Sequence, residues 1–337
     1  MNLVILGPLE NRANSKITGG AIVQLKHVLD ELNSRGVVYE VIDTNKHNYT
    51  SKKDAFIAVV RKYYKLVRKE TTVLYFTSSN YKYFLPVFGS IKKLIGNKLF
   101  IRKIGGDIGH FKGDKQKLER TLRLFKKTDH VLVETQGLQK LLSDNGVSCT
   151  QFLNARKRSK VSERMGDPVN LAYFGRISKS KGLLSLIEID LKLPKNLTID
   201  IFGPLEDLNE NSFSDLKNII YKGALDPKDV SAKVREYKAV ILPTQFYGEG
   251  HPGIIVEALM SGRPVLATNW HYISELVEDE GNGILFKSNE PTEILEGINR
   301  FMKLPYNALC ENAKNSVQDF DIQLNVDRLL NLINYDC

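Results

Sequence analysis

Short runs rich in Val, Ile, Leu and Phe alternate with longer, polar-studded segments along this chain, and that alternation constrains its fold more than any other feature. Residues 3–6, 37–42, 72–76, 98–104 and 130–133 read as strands, and residues 21–32 and 137–142 carry helical patterns. Residues 156–168 are polar and basic and contain Gly166-Asp167-Pro168, which makes them the best linker candidate. A second series follows, with strands at 171–174, 197–202, 218–221 and 239–242 and helices at 182–189 and 229–236. Strand–helix alternation of this kind predicts an α/β chain with parallel sheets. Two such sheets facing each other would leave a cleft at the carboxyl ends of their strands, where open α/β folds bind ligands. The stretches 3–10 and 198–206 both end in Gly-Pro-Leu-Glu, which predicts similar strand-to-loop chemistry in the two halves.

A chain of 337 residues suits two domains of ordinary size. Cys149, Cys310 and Cys337 are odd in number and scattered. They form neither a metal spacing nor a disulfide framework, which points to a reducing cytosol. The apolar run 3–6 is short and lacks a basic flank, so it reads as a first strand and not as a leader. No apolar run is long enough to span a bilayer.

Charge divides unevenly. Residues 1–165 hold 31 Lys+Arg against 14 Asp+Glu, a net +17, and the remainder holds 17 against 25, a net −8. An excess of this size in the first half predicts an anionic partner there. The densest run is Arg61-Lys62-Tyr63-Tyr64-Lys65-Leu66-Val67-Arg68-Lys69. A second, over 81–103, mixes Lys92, Lys93, Lys98, Arg102 and Lys103 with Phe84, Leu85, Val87, Phe88, Ile91 and Leu94. Basic residues among aromatic and aliphatic ones favour an anionic membrane surface. Solvated helix faces would explain the same runs, and nucleic acid is not expected because no recognisable binding module accompanies the charge. The expected location is cytoplasmic, peripheral on the inner face of the cytoplasmic membrane.

The chemistry concentrates in residues 249–268. Glu249 and Glu257 stand eight positions apart, separated by a His251-Pro252-Gly253 loop that opens a short helix. Gly262 and Pro264 end that helix, and Val265-Leu266-Ala267 reads as a buried strand. Backbone N–H groups at such a helix start form an anion site, with one carboxylate ahead of it and one within the helix. That layout suits a ligand with phosphate in the middle and hydroxyls at both ends; an ordinary αβ unit with two surface glutamates is the plainer alternative. After strand 171–174, Arg176 and Lys181 flank the next helix start. Cations there oppose the helix dipole unless a polyanion lies between; a basic surface loop is again the plainer alternative. Thr18-Gly19-Gly20 precedes the helix at 21–32 and allows close backbone approach to a ligand, or merely makes a turn. Neither Gly-x-Gly-x-x-Gly nor a P-loop occurs at these positions. Gly105-Gly106-Asp107-Ile108-Gly109-His110 follows a strand and suggests a cleft-lining loop, with His110 either catalytic or structural.

The run 249–268 resembles the Glu-x7-Glu signature of the family 4 retaining glycosyltransferases, the group 1 glycosyltransferases, which have the GT-B fold. The segment 175–182 is similar to that family's Gly-Arg…Lys-Gly diphosphate clamp. The resemblance is dense over 169–286 and looser over 1–154. It implies two Rossmann-like domains facing across a cleft: an acceptor-side domain over 1–160, a nucleotide-sugar domain over 168–317, and a tail at 318–337 that crosses back to the first. It implies transfer of a sugar from a nucleotide-diphosphate sugar, UDP- or GDP-linked, with retention and without a metal. No Asp-x-Asp motif lies near the cleft segments.

By the same resemblance, Glu257 holds the ribose and Glu249 orients the donor sugar. Arg176, Lys181 and the helix start at Gly250, Gly253 and Ile254 neutralise the leaving diphosphate. Gly19 and Gly20 lie beside the phosphates, Gly223 and Leu225 belong to the loop that reads the base, and Gly106, Asp107 and His110 contact acceptor or donor sugar. Asn154 fits the hinge, although an Asn turn fits as well. No nucleophile for double displacement stands out; a front-face route with the diphosphate as base is the family's other option. The basic first half suggests a glycan or polyprenyl-diphosphate-linked acceptor of cell-surface polysaccharide synthesis, such as capsule or lipopolysaccharide. A GT-B epimerase and a non-catalytic basic module are the alternatives. The first would need acid/base residues that are not evident, and the second leaves the two glutamates unexplained.

Overall fold

The computed structural model describes residues 2–13, 19–157 and 169–334. The chain divides into two compact units, residues 1–157 with 319–337 and residues 158–318. Unit 1 runs β1 (Asn2–Gly7), α1 (Gly20–Ser34), β2 (Tyr39–Asp43), α2 (Lys52–Leu66), β3 (Thr71–Thr77), α3 (Tyr81–Ile95), β4 (Lys98–Lys103), α4 (Lys115–Phe125), β5 (His130–Val133), α5 (Gln136–Asp144) and β6 (Cys149–Gln151). Unit 2 runs β7 (Leu171–Phe174), α6 (Leu183–Glu188), β8 (Ile199–Phe202), β9 (Ile219–Tyr221), α7 (Pro227–Val234), β10 (Ala239–Leu242), α8 (Gly253–Met260), β11 (Val265–Thr268), β12 (Gly283–Phe286), α9 (Pro291–Phe301) and α10 (Tyr306–Asn315). A last helix, α11 (Ile322–Ile333), returns to unit 1.

The sheet of unit 1 is parallel throughout, in the order β2-β1-β3-β4-β5-β6. Its crossover from β1 to β2 runs one way along the sheet and the four later crossovers run the other way. Right-handed connections therefore put α1 on one face and α2 to α5 on the opposite face. The side chains alternate to match. Leu3, Ile5, Leu74, Phe76, Phe100 and Leu132 pack in the cluster that contains Leu25, Val28 and Leu32 of α1. Tyr75 points the other way, edge-on to Phe84 and Phe88 of α3, and Tyr63 of α2 stacks on Phe88 at 4.1 Å.

One helix cannot cover a six-stranded face, and α11 completes it. Ile322, Val326, Leu329, Leu330 and Ile333 recur at helical spacing and are buried in the α1 cluster. Arg35, which caps the end of α1, ties to α11 through Asp327 and donates to the Gln323 carbonyl at 2.9 Å. Arg156 pairs with this tail through its backbone: its N–H donates to the Phe320 carbonyl at 2.9 Å and its carbonyl accepts from Ile322 at 3.0 Å. Arg156 is itself buried and donates to Asn154, so the expected linker does not begin there; residues 158–168 of it lie outside the described residues.

The second basic run expected as a membrane surface needs correcting. Arg102 and Lys103 lie on β4 and are fully buried, and Phe84, Leu85 and Phe88 face the core from α3. Lys92 pairs with Asp129 at 3.0 Å. Arg102 is held instead by Glu134, 3.6 Å away, and by Gln24 of α1, whose amide also donates to Glu134 at 2.5 Å. Burial lowers the Arg102 pKa to about 10, with the Glu134 carboxylate working against that shift. Lys103 bonds to Asp107 at 2.6 Å and to the Ile104 carbonyl.

The first basic run lies differently. Arg61 and Lys65 stand exposed on α2, where Ile57 and Tyr64 are 52% and 66% exposed. With Phe56, Val60 and Ile91 of α3 they line a shallow groove of about 610 Å³. No helix among the described residues is long and apolar enough to cross a membrane.

Candidate active site

The sheet of unit 2 reads β9-β8-β7-β10-β11-β12 from one edge, again all parallel. Strand order reverses between β7 and β10. Loops leaving the carboxyl ends of two such strands diverge to opposite faces of the sheet and open a crevice between them. Those loops are residues 175–182 and 243–252, the two segments with the most chemistry in the sequence.

Glycine fixes how closely these loops approach. Gly182 has φ +80°, and a Cβ there would lie 2.0 Å from the Pro243 carbonyl oxygen. The loop after β7 thus lies directly on the loop after β10, and the Gln245 N–H donates to the Ser180 carbonyl at 3.0 Å. One strand over, a Cβ on Gly203 would come within 1.7 Å of the Gly175 carbonyl oxygen. The buried Tyr173 hydroxyl donates to the Arg176 carbonyl at 2.7 Å and holds the turn. Burial pushes its pKa well up, and the nearby Glu249 and Glu206 carboxylates add to the effect.

Lys181 forms an ion pair with Glu249, both largely buried. The same carboxylate accepts from Thr244 Oγ1 at 3.0 Å. Arg176, more exposed, pairs with Glu206 at 2.5 Å. Both cations approach the ring of Phe246, at 5.0 Å for Lys181 Nζ and 5.3 Å for the Arg176 guanidinium. Phe246 is fixed through its backbone: its N–H donates to Thr244 Oγ1 at 3.1 Å and its carbonyl accepts from Trp270 Nε1 at 3.0 Å.

Helix α8 opens just after this cluster. Its backbone ladder starts with Ile255 N–H to the Pro252 carbonyl, so the amides of Gly253 and Ile254 belong to the unladdered first turn. Gly253, Ile254 and Glu257 lie on the half-buried stripe of the helix, while Ile255, Val256, Ala258 and Leu259 face the core. Glu257 therefore lies one turn along the same face as the helix start. Gly250 is buried in the loop. His251 is buried too, and its Nε2 lies 3.0 Å from Glu275, which ties the loop to the segment after β11.

The structure thus brings Arg176, Lys181, Glu249, the α8 start and Glu257 to one end of one sheet. Gly223 follows β9 with φ +84°, and its carbonyl accepts from Gly203 N–H at 3.0 Å; Leu225 is half-buried nearby in the sequence. The remaining expected residues belong to unit 1. Gly19 and Gly20 sit at the start of α1 with room for a Cβ at both, so neither packing nor, at Gly19, an unusual backbone angle demands glycine. Thr18 lies outside the described residues. Gly106 is buried, Asp107 is held by Lys103, and His110 is half-buried in a short 3-10 helix over Asp107–Gly113.

Sequence reasoning missed Glu206, Thr244, Phe246 and Glu275. Only Glu206 carried a signal, the Gly-Pro-Leu-Glu that follows β8 as it follows β1. In unit 1 the equivalent Glu10 pairs with Lys26 at 2.6 Å, so both copies bring an acid to a cation beside a strand end.

Residues 154–319 match the family model described as glycosyl transferases group 1. An uncharacterised glycosyltransferase of Methanocaldococcus jannaschii is 27% identical over 221 residues, which cover 58% of this chain and 55% of that one. The chain thus spans about half the length of that curated relative. Among solved structures, Anabaena HepE in complex with UDP-glucose superposes with a TM-score of 0.74 over 99% of both chains, at 17% identity. The lipopolysaccharide outer core galactosyltransferase WaaB superposes with a TM-score of 0.69, also over 99% of both chains, at 15% identity. At these identities the likeness is one of fold, the two Rossmann-like domains of GT-B. The family model lies over the unit that carries Arg176, Lys181 and Glu249, and residues 154–319 belong to the group 1 glycosyltransferases.

Proposed function

We propose that this protein transfers a sugar from a nucleotide-diphosphate sugar, UDP- or GDP-linked, to a glycan or lipid-linked acceptor of cell-surface polysaccharide synthesis, with retention at the anomeric carbon. The observation that carries the reading is the meeting of Arg176, Lys181, Glu249 and the α8 start where the strand order reverses. Arg176, Lys181 and the first amides of α8 would take the charge that develops on the leaving diphosphate, the role a metal ion fills elsewhere. Glu249 would accept hydrogen bonds from the sugar and Glu257 from the ribose. HepE binding UDP-glucose and WaaB being a galactosyltransferase support the donor class and the glycan acceptor.

Thermal unfolding with UDP-, GDP-, ADP- and CMP-sugars, without metal, tests the donor. One nucleotide class should stabilise the protein by roughly 2.7 kcal/mol at a hundred times its Kd, and Arg176→Ala should abolish that shift. Stabilisation by none of them, in wild type, would sink the reading.

The surface of α2 supports an acceptor held at a membrane. Its exposed Ile57 and Tyr64 beside Arg61 and Lys65 suit an anionic bilayer surface, apolar side chains entering the interface and cations meeting headgroups. Anionic vesicles should co-sediment with the protein, and Arg61→Glu with Lys65→Glu should weaken this by roughly tenfold or more, at about 1 kcal/mol per basic residue. A wild type that ignores phosphatidylglycerol vesicles at low salt would remove the membrane from the proposal.

A further inference from the structure

Both clamp cations are already neutralised from within the protein. Lys181 is taken by Glu249 and Arg176 by Glu206, and the pinned ring of Phe246 lies against both cations. A diphosphate engages these cations only in competition with the two carboxylates. The two carboxylates differ in what happens on release. The Glu206 side chain is 44% exposed, so water receives it when Arg176 leaves. The Glu249 side chain is 9% exposed, and without Lys181 it keeps only the Thr244 hydroxyl as a described partner. A buried carboxylate that loses its cation is strongly disfavoured unless new donors replace it.

We propose that donor binding here is an exchange of anions, in which the diphosphate takes Lys181 from Glu249 and the donor's sugar hydroxyls then satisfy the released carboxylate. The Lys181–Glu249 pair thereby makes the site discriminate intact nucleotide sugar from the nucleoside diphosphate that remains after transfer. A nucleoside diphosphate takes the lysine and offers Glu249 nothing; a nucleotide sugar offers hydroxyl donors at the same time. Spent nucleotide is expelled by the same pair that admits the donor. Glu206 sets overall affinity for diphosphate without discriminating between the two ligands. This inference rests on the nucleotide-sugar reading of the site.

Calorimetric titration of UDP and of the matching UDP-sugar into wild type, Glu249→Gln and Glu206→Gln tests it, with GDP and ADP pairs used if UDP is not the class bound. Glutamine at 249 keeps the shape and an acceptor for Thr244 but no longer holds Lys181 by charge. Wild type should prefer the nucleotide sugar. Glu249→Gln should bind the free diphosphate on the order of tenfold tighter and lose most of that preference. Glu206→Gln should tighten both ligands alike, by about two- to fivefold. Free diphosphate bound equally or more weakly by Glu249→Gln overturns the exchange and leaves the nucleotide reading standing. No binding of any nucleotide sugar or nucleoside diphosphate, to wild type or to Glu249→Gln, overturns both.

Discussion

Replacing Lys181 with alanine is expected to lower kcat for sugar transfer by about 100- to 1,000-fold, the usual effect of removing one preorganised group from a developing negative charge. Lys181 is held by Glu249, lies against the Phe246 ring and is followed by Gly182, whose left-handed backbone seats the loop on Pro243. Once donor binding has exchanged one carboxylate for the diphosphate, nothing in this arrangement has to reorganise at the moment of bond cleavage. Lys181→Arg keeps the charge but replaces a compact ammonium with a planar fork, so it should recover only part of the rate. Steady-state kinetics on all three proteins decides the matter. A fall in kcat of less than fivefold in Lys181→Ala would mean that the leaving group is stabilised elsewhere.

Glu134→Ala should destabilise unit 1 by about 3–5 kcal/mol, the effect expected when one member of a buried ion pair is removed and the other is left behind. Arg102 has no exposure, its pKa is already pulled down by burial, and the carboxylate that offsets this comes from Glu134. Gln24 would lose its acceptor in the same substitution. Removing both charges should do far less damage, so Arg102→Met combined with Glu134→Leu should regain most of the loss. Urea unfolding followed by tryptophan-independent far-UV signal would measure both variants. A single-mutant loss below about 1 kcal/mol would show that solvent or another acid reaches the guanidinium.

The strands were legible because apolar runs bounded by Gly, Pro and charged residues leave few alternatives. The stretches read at 130–133, 171–174 and 239–242 coincide with β5, β7 and β10. The sequences of helices α2 and α3 read as basic surface runs. Pro86 and Gly89 lie inside α3 and mask its period, and only the tertiary burial of Tyr63, Phe84 and Phe88 shows which face turns inward. Arg102 is buried against the sequence expectation for a related reason. Its charge argues for a surface until Glu134 and Gln24 are known to meet it, and those two are themselves 110 positions apart. In the candidate site, Arg176, Lys181, Glu249 and Glu257 stood out because helix starts and stops frame them. Their partners did not, since Lys181 and Glu249 are 68 positions apart and Arg176 and Glu206 are 30 apart, distances that no local pattern encodes.

The return of α11 to unit 1 sets an order on synthesis. Unit 2 is one uninterrupted stretch, residues 158–318, whereas unit 1 is assembled from two pieces on either side of it. As the ribosome works from the amino end, the first sheet emerges early but one of its faces waits for Ile322, Val326, Leu329, Leu330 and Ile333. The domain encoded second is therefore the first able to close its core, and the nascent first domain carries an apolar face only partly covered by α1 throughout that interval, the kind of surface that chaperones bind.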